Sequence, residues 1–289
     1  MYNVLCNVFW GLSMNYSYDA HYLQKIATQI RKDILTMIYE CGDGHPAPSL
    51  SIVEMLVSLY FVVMKIDPKN PDYPERDRFI LSKGHACPAL YSVLARKGFF
   101  SVGELPTLRT LHSNLQGHPY QRKTKGLDAT TGSLGHGISL GIGMALASYY
   151  LNTPYFTYVI IGDGEQEEGL IWEAAITAAK YKIGRLIVFV DCNGLQSGGF
   201  VNEISALYPL ETKWQAFGWH CQSIDGHNFD QIISAIECAQ SVDNAPSIIF
   251  GKTIKGKGIS FIENNNDWHK KVPKKEELEQ ALNELGDLI

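Results

Sequence analysis

Two oxygen-bearing side chains, Asp163 and Asn193, are spaced in a way that suits a divalent cation. Asp163 belongs to "GDGEQEEG", which places four acidic residues among three glycines directly after the apolar run "TYVII". Between Gly164 and Asn193 lie 28 residues, room for one crossover helix between two parallel strands, so both side chains can end at the same sheet edge. A carboxylate, an amide oxygen and a nearby carbonyl are hard ligands; they suit Mg²⁺, which keeps sites for phosphate oxygens and water, and do not suit zinc. Gly164 lets the backbone approach a ligand closely, and the amides of Gly164 and Glu165 point toward a helix start where a phosphate can be held. A polar loop with Asn193 in a left-handed turn would carry the same letters, and the pair alone leaves both readings open.

The elements that must position these residues follow from apolar periodicity. Leu23, Ile26, Ala27, Ile30, Ile34, Leu35 and Ile38 recur at three- and four-residue intervals and predict a helix over 18–39. A second helix is expected from Ser51 to about Met64, opened by a capping box of Ser51 and Glu54. "RFILS" reads as a short buried strand. Beyond it come a helix over 138–150, a strand over 157–162, a helix over 169–182 and a strand over 186–191. A helix over 211–217, the strand "WHCQSID", a helix over 228–240 and the strand "SIIFGKT" continue the alternation, and an acidic helix starts near Lys275. This is the pattern of an α/β fold: a doubly wound, mainly parallel sheet with helices on both faces.

The chain's 289 residues allow one large domain or two small ones, and its apolar content of 45% permits a substantial core. No segment approaches the ~18 consecutive apolar residues of a membrane helix, so no membrane partner is expected. A net charge of −5, with basic residues scattered apart from the tail run "KKVPKK", argues against nucleic acid. Cys6, Cys41, Cys87, Cys192, Cys221 and Cys238 form no CxxC pair, which fits reduced thiols and a cytoplasmic location. The opening "MYNVLCNVFWGLSM" lacks a basic n-region and is expected to be an accessory segment or to precede a start at Met14.

The pair formed by GDG and a later Asn resembles the thiamine diphosphate signature. The longer run "GDGEQEEGLIWEAAITAAKYKIGRLIVFVDCNGLQ" resembles the amino-terminal half of transketolase. "GDGHPAPSLS", "RDRFILSKGHACPALY", "LQGHP", "TTGSLGHGISLGIGMALA", "FGWH", "DGH" and "KTIKGKGISFIENNNDWH" match in the family's order over residues of about 20–270. The resemblance implies an accessory segment at 1–17, a thiamine diphosphate-binding (diphosphate and metal) domain at 18–270, and a helical tail at 271–289. It implies that Asp163, Asn193 and the backbone carbonyl of Leu195 hold Mg²⁺, with Ca²⁺ or Mn²⁺ able to stand in, and that Gly164 faces the diphosphate. Glu168 would make a contact across the dimer, leaving Glu165 and Glu167 solvated. Gly132, Ser133 and Leu134 resemble the loop that addresses the aminopyrimidine, although close helix packing would explain Gly135, Gly137, Gly141 and Gly143 equally well. His45, His85, His118 and His269 match the histidines around the reacting carbon and the donor's hydroxyls, His85 and His269 also touching the cofactor. Lys255 matches a lysine of the cofactor and substrate site. For His21, His112, His136, His220 and His227 a structural role is expected.

Departures from the family pattern are "GHPAPS" in place of a Gly-Gly form, His136 and Glu167 in place of glutamines, and "WHKK" without a glycine after its histidine. The resemblance covers only the first half of a transketolase. It therefore implies the amino-terminal subunit of a split enzyme, paired with a carboxyl-terminal, pyrimidine-binding subunit in an α2β2 heterotetramer. The implied reaction transfers a two-carbon ketol unit from a ketose phosphate to an aldose phosphate, as in pentose phosphate metabolism. The departures motivate an alternative, a thiamine diphosphate enzyme that decarboxylates its donor or uses a non-standard donor or acceptor. A noncatalytic scaffold would keep the fold, but has no need of Asp163, Asn193 and four histidines.

Overall fold

The computed structural model describes residues 16–286; Cys6, Met14 and most of the expected accessory segment lie outside the described residues, as do the last three. Helix α1 (Ala20–Cys41) is capped by Asp19, whose carboxylate accepts from the amides of His21 and Tyr22. Short helices α2 (Pro46–Leu50) and α3 (Val53–Ser58) follow, then one π-helical turn over Leu59–Val63. Strand β1 (Arg78–Leu81) leads to α4 (Cys87–Lys97), and α5 (His136–Tyr150) precedes β2 (Thr157–Gly162), α6 (Gly169–Lys180) and β3 (Leu186–Cys192). A two-stranded hairpin, β4 (Leu195–Gln196) and β5 (Gly199–Phe200), comes before α7 (Val201–Ile204) and α8 (Leu210–Ala216). The chain ends with β6 (His220–Asp225), α9 (Phe229–Gln240), β7 (Ser247–Lys252) and α10 (Lys275–Glu284).

The main sheet has the order β1-β2-β3-β7-β6, with every neighbouring pair parallel. Strands buried on both faces alternate between two cores. Tyr158, Ile160, Ile187, Phe189 and Ile249 pack with α1, α3, α4, α9 and α10, while Val159, Ile161, Val188, Val190 and Ile248 pack with α5, α6 and α8. This is the doubly wound arrangement that the alternation predicts. Leu278 and Ala281 of α10 are buried in the first core, and Tyr16 donates from its amide to Glu237 and from its hydroxyl to Gln240, so both ends of the described chain are fastened to it. Among the described residues no helix is long and apolar enough to cross a membrane.

One local expectation fails for an instructive reason, and one helix lies where none is expected. The helix expected from Ser51 begins earlier, at Pro46, and breaks at Ser51–Ile52. No capping box forms because its members have longer-range partners: Ser51 Oγ donates to Asp191 at 2.6 Å, and Glu54 accepts from Arg31 at 2.7 Å and lies 2.9 Å from His227 Nδ1. Helix α4 has no counterpart in the periodicity reading, although Pro88 near its start, Arg96 and Lys97 in its last turn and Gly98 after it are ordinary boundary signals.

Helix α5 reaches the sheet through small residues. A Cβ on Gly137 would stand 2.4 Å from Ser82 Cβ, and one on Gly141 would stand 2.6 Å from Val159 Cγ2, whereas a Cβ on Gly143 would meet nothing within 4 Å. Close packing therefore accounts for Gly137 and Gly141. In the isolated chain Gly137→Ala is expected to lower the unfolding free energy by about 1–3 kcal/mol through overpacking. Gly143→Ala should instead raise it by about 0.5–1 kcal/mol through helix propensity. Urea denaturation midpoints of the two variants check the opposite signs.

Candidate active site

The carboxyl ends of the strands carry the site, and a buried aspartate organises them. Asp191, near the end of β3, is fully buried and accepts from Lys83 Nζ at 2.5 Å, Ser51 Oγ at 2.6 Å, Asn193 Nδ2 at 2.9 Å and the Thr253 hydroxyl. Lys83 follows β1 and Thr253 follows β7, so one carboxylate joins the ends of three strands. Burial alone would raise the Asp191 pKa, but the Lys83 charge and these hydrogen bonds hold it below the ordinary carboxylate value. Lys83 Nζ also donates to the Pro48 carbonyl at 3.1 Å, which brings α2 to the same rim.

Asn193 is oriented by this hub. With Nδ2 on Asp191, its Oδ1 faces the next turn and accepts from the Leu195 amide at 3.0 Å. Asp163 comes from the other side: Oδ2 accepts from the Gly194 amide at 2.6 Å and Oδ1 from the Gly164 amide at 2.8 Å, so the β2 and β3 loops meet as their spacing requires. Asp163 is buried and makes no ion pair among the described residues. Burial first, and then the charge of Asp191, push its pKa up to about 6. A carboxylate in that state, beside an amide oxygen and the Leu195 carbonyl, is a donor set that fits a hard divalent cation.

Lys255 lies at the same place. It is buried, and its ammonium donates to the carbonyls of Leu195 and Gln196, both at 3.3 Å, and to Asn266 Oδ1 at 2.9 Å. Burial first and the Lys83 charge second lower its pKa to about 8, against the opposing charges of Asp191 and Asp163. One cation thus already faces the carbonyl expected to bind metal. A Cβ on Gly164 would stand 2.7 Å from Gln196 Oε1, so the β4–β5 hairpin closes directly over the glycine expected to face the diphosphate.

Three of the four expected histidines form one cluster. Ring centroids are 5.1 Å apart for His45 and His85, 5.6 Å for His45 and His269, and 5.4 Å for His85 and His269. Desolvation is the leading cause that keeps all three neutral, lowering His45 to about 4 and His269 to about 3 and moving His85 well below its ordinary value. The charges of Arg109 and Lys270 add to the shift at His45, Lys83 to that at His85, and Lys255 to that at His269. His45 Nδ1 and His269 Nδ1 are buried with no hydrogen-bond partner among the described residues. Orphaned, uncharged imidazole nitrogens match hydroxyl-bearing ligands, because each ring offers a donor and an acceptor. His118 lies against the 132–134 loop, its ring 3.4 Å from the place of a Cβ on Gly132.

Gly132, Ser133 and Leu134 belong to a loop at an open cavity, which Gly132 and Ser133 line with Thr130, Thr131, His136 and Leu140. Glu165 holds this loop, and here the expectation of a solvated side chain is wrong. It is buried, with Oε1 accepting from the Gly135 amide at 2.9 Å and from the Ser82 hydroxyl, and Oε2 accepting from the Gly162 amide at 3.0 Å. Glu167 and Glu168 are exposed, the latter at the start of α6. Of the histidines expected to be structural, His227 bridges Glu54 and the Ile254 amide, the latter at 2.8 Å, and His220 contacts Ser247 Oγ at 3.2 Å. His136 stays exposed, 3.2 Å from the Leu134 carbonyl. Sequence reasoning does not single out Lys83, Arg109 or Asp43, takes Glu165 only for its amide and as a solvated side chain, and places Asp191 only as a strand end. A lysine or aspartate closing an otherwise apolar strand is the available signal for Lys83 and Asp191.

Residues 23–287 match the family described as "Transketolase, thiamine diphosphate binding domain". The chain is 51% identical over 263 residues to a 6-deoxy-6-sulfo-D-fructose transketolase subunit of Clostridium sp. (strain MSTE9), covering 91% of this chain and 96% of that protein. It is 43% identical to an apulose-4-phosphate transketolase subunit from Actinobacillus succinogenes, covering 94% of this chain and 98% of the relative. A solved transketolase of Pichia stipitis in complex with sedoheptulose-7-phosphate superposes with a TM-score of 0.88 at 30% identity, over 92% of this chain but only 41% of its own length.

The Lys83–Asp191 contact is buried on both sides, at 4% and 0% side-chain exposure, so removing one partner strands the other charge. Lys83→Met in the isolated chain is expected to cost about 3–5 kcal/mol of unfolding free energy. Chemical denaturation checks it.

Proposed function

Since this chain belongs to the transketolase family, as its thiamine diphosphate-binding part, we propose that it is the amino-terminal subunit of a split transketolase. In this reading it transfers a two-carbon ketol unit between sugars together with a separate carboxyl-terminal subunit. The observation that carries the reading is Lys255, which joins the His45–His85–His269 cluster to the Asp163–Asn193 loops by donating both to the Leu195 carbonyl and to Asn266 in the turn that carries His269. The near-complete coverage of two relatives named as subunits supports the split arrangement.

Asp163, Asn193 and the Leu195 carbonyl would hold Mg²⁺, or Ca²⁺ or Mn²⁺ in its place, and through it the diphosphate of thiamine diphosphate. Gly164 and Lys255 face the same phosphates. Bound thiamine diphosphate supplies the electron sink that lets a carbon–carbon bond next to a carbonyl break. The protein's own work is placement and proton handling. Gly132, Ser133 and Leu134 address the aminopyrimidine, His85 and His269 touch the cofactor, and His45 and His118 meet the donor's hydroxyls. All four imidazoles have lowered pKa values, so at neutral pH they start uncharged and can hydrogen-bond a hydroxyl, or take up its proton and become charged in doing so. Glu168, exposed at the α6 start, couples two copies of the chain in an α2β2 assembly, and the reduced thiols suit a cytoplasmic setting.

The donor proposed first is a ketose with an anionic tail, with 6-deoxy-6-sulfo-D-fructose ahead of a ketose phosphate because the 51% identical relative is named for it. Apulose-4-phosphate is the second reading, carried by the 43% identical relative. Comparing kcat/KM for the two donors with the co-purified partner decides between them.

Asp163→Ala should abolish metal-dependent retention of thiamine diphosphate, read by calorimetry with and without Mg²⁺; normal binding by that variant would overturn the metal assignment. His85→Ala should keep the cofactor but lower turnover by about 10²–10⁴-fold, the usual span of a lost proton-transfer group. Unchanged turnover would return His85 to a structural role.

A further inference from the structure

Outside the groups already given roles, one ion cluster touches the site from behind. Arg109 Nη1 pairs with Asp43 Oδ2, and Nη2 donates to the Gly117 carbonyl at 3.1 Å. Lys270 Nζ stands 3.8 Å from the other carboxylate oxygen of Asp43. Asp43 lies two residues before His45, Gly117 directly before His118, and Lys270 directly after His269. The three segments that carry these histidines come from distant parts of the chain.

The backbone at Arg109 gives a second, independent observation. Its φ is +59°, in the left-handed region that a bulky L-residue enters at a cost and where glycine would be favoured. The turn is closed by the Arg109 amide on the Leu115 carbonyl at 2.8 Å. The guanidinium lies so close to Gly117 that a Cβ there would stand 2.9 Å from Arg109 Cζ. An arginine held in that conformation, flat on a glycine, is held for what its side chain reaches. The planar fork of Arg suits this task, because two parallel N–H groups can serve a carboxylate and a carbonyl at fixed angles, which a lysine cannot do.

We propose that Arg109 is a positioning residue for the donor-binding face: through Asp43 and the Gly117 carbonyl it fixes His45 against His118, and Lys270 ties the His269 segment to the same carboxylate. This rests on the transketolase reading insofar as the histidines face a sugar donor; the clasp itself does not. The groups that face His45 are Asp43 and Arg109 behind it, Lys270 beside it, and His85, His118 and His269 across the pocket. Two cations on one carboxylate leave an excess positive charge next to His45.

The test compares Arg109→Met, Asp43→Asn and the double variant, each in the assembly with the carboxyl-terminal partner, and repeats one measurement on the full chain alone. In the assembly both single variants should lose about ten- to a hundredfold in donor kcat/KM, the scale of a small misplacement of reacting groups. The dissociation constant of thiamine diphosphate should stay within about twofold of wild type, and the double variant should be no worse than either single one. Arg109→Lys, which keeps the charge and loses the fork, should fall between wild type and Arg109→Met, and it carries the test if Arg109→Met does not fold. In the chain alone, histidine NMR titration should show His45 moving up from about 4 when Arg109 becomes Met, toward but short of the ordinary value of 6.5, because burial remains the larger cause. Wild-type donor kinetics in Arg109→Met with only a lower melting temperature, losses that multiply in the double variant, or an unmoved His45 titration would each overturn the clasp. Absence of ketol transfer in the wild-type assembly would instead overturn the functional reading, with the titration still deciding the clasp.

Discussion

The contact between Lys83 and Asp191 is the constraint on which the rim of this sheet depends. A parallel sheet delivers its strands to one edge but leaves the loops beyond that edge free, and each loop here carries a different part of the site. A fully buried carboxylate must find enough donors to offset the loss of water. Asp191 finds them on the β1 loop, the β7 loop, the turn after α2 and its own Asn193, so satisfying one desolvated charge fixes four segments at once. Ser51 belongs to this accounting: its hydroxyl leaves the role of helix cap, and the helix breaks there.

Glu165 repeats the device on the other side. Its two oxygens collect the ends of β1 and β2 and the loop before α5. Helix α5 can lie against Ser82 only because Gly137 has no side chain, and that proximity brings the 132–134 loop within reach of Glu165. Groups meant to face a ligand are thus held by buried polar residues that do not face it, as a preorganised site requires.

Much of the fold was legible in the sequence because it rests on short-range pattern. The strands alternate between two cores, and the gap between Asp163 and Asn193 accommodates one crossover, so sheet and paired loops follow directly. What could not be read is burial of polar groups by distant partners. Glu165 and Lys255 look like loop charges in the sequence, and only tertiary contacts with Gly135 and Ser82, or with Leu195 and Asn266, turn them into buried hydrogen-bonding centres. Ser51 and Glu54 spell a capping box, yet Asp191 lies 140 positions from one and His227 lies 173 from the other, beyond any window of local propensity. The histidines were recognisable from their motifs, while their common pocket is a property of the folded chain.

The uncharged state of the histidine cluster has a consequence for how recognition is divided. A neutral ring offers a hydroxyl both a donor and an acceptor but an anion only its N–H, so on the proposed reading this pocket would take the hydroxylated head of a sugar rather than its anionic tail. Exchanging phosphate for sulfonate at the far end of such a substrate would then require no change in this cluster. On that reading the chain would serve as a reusable head-group reader, with a new sugar acquired by altering surfaces that lie elsewhere.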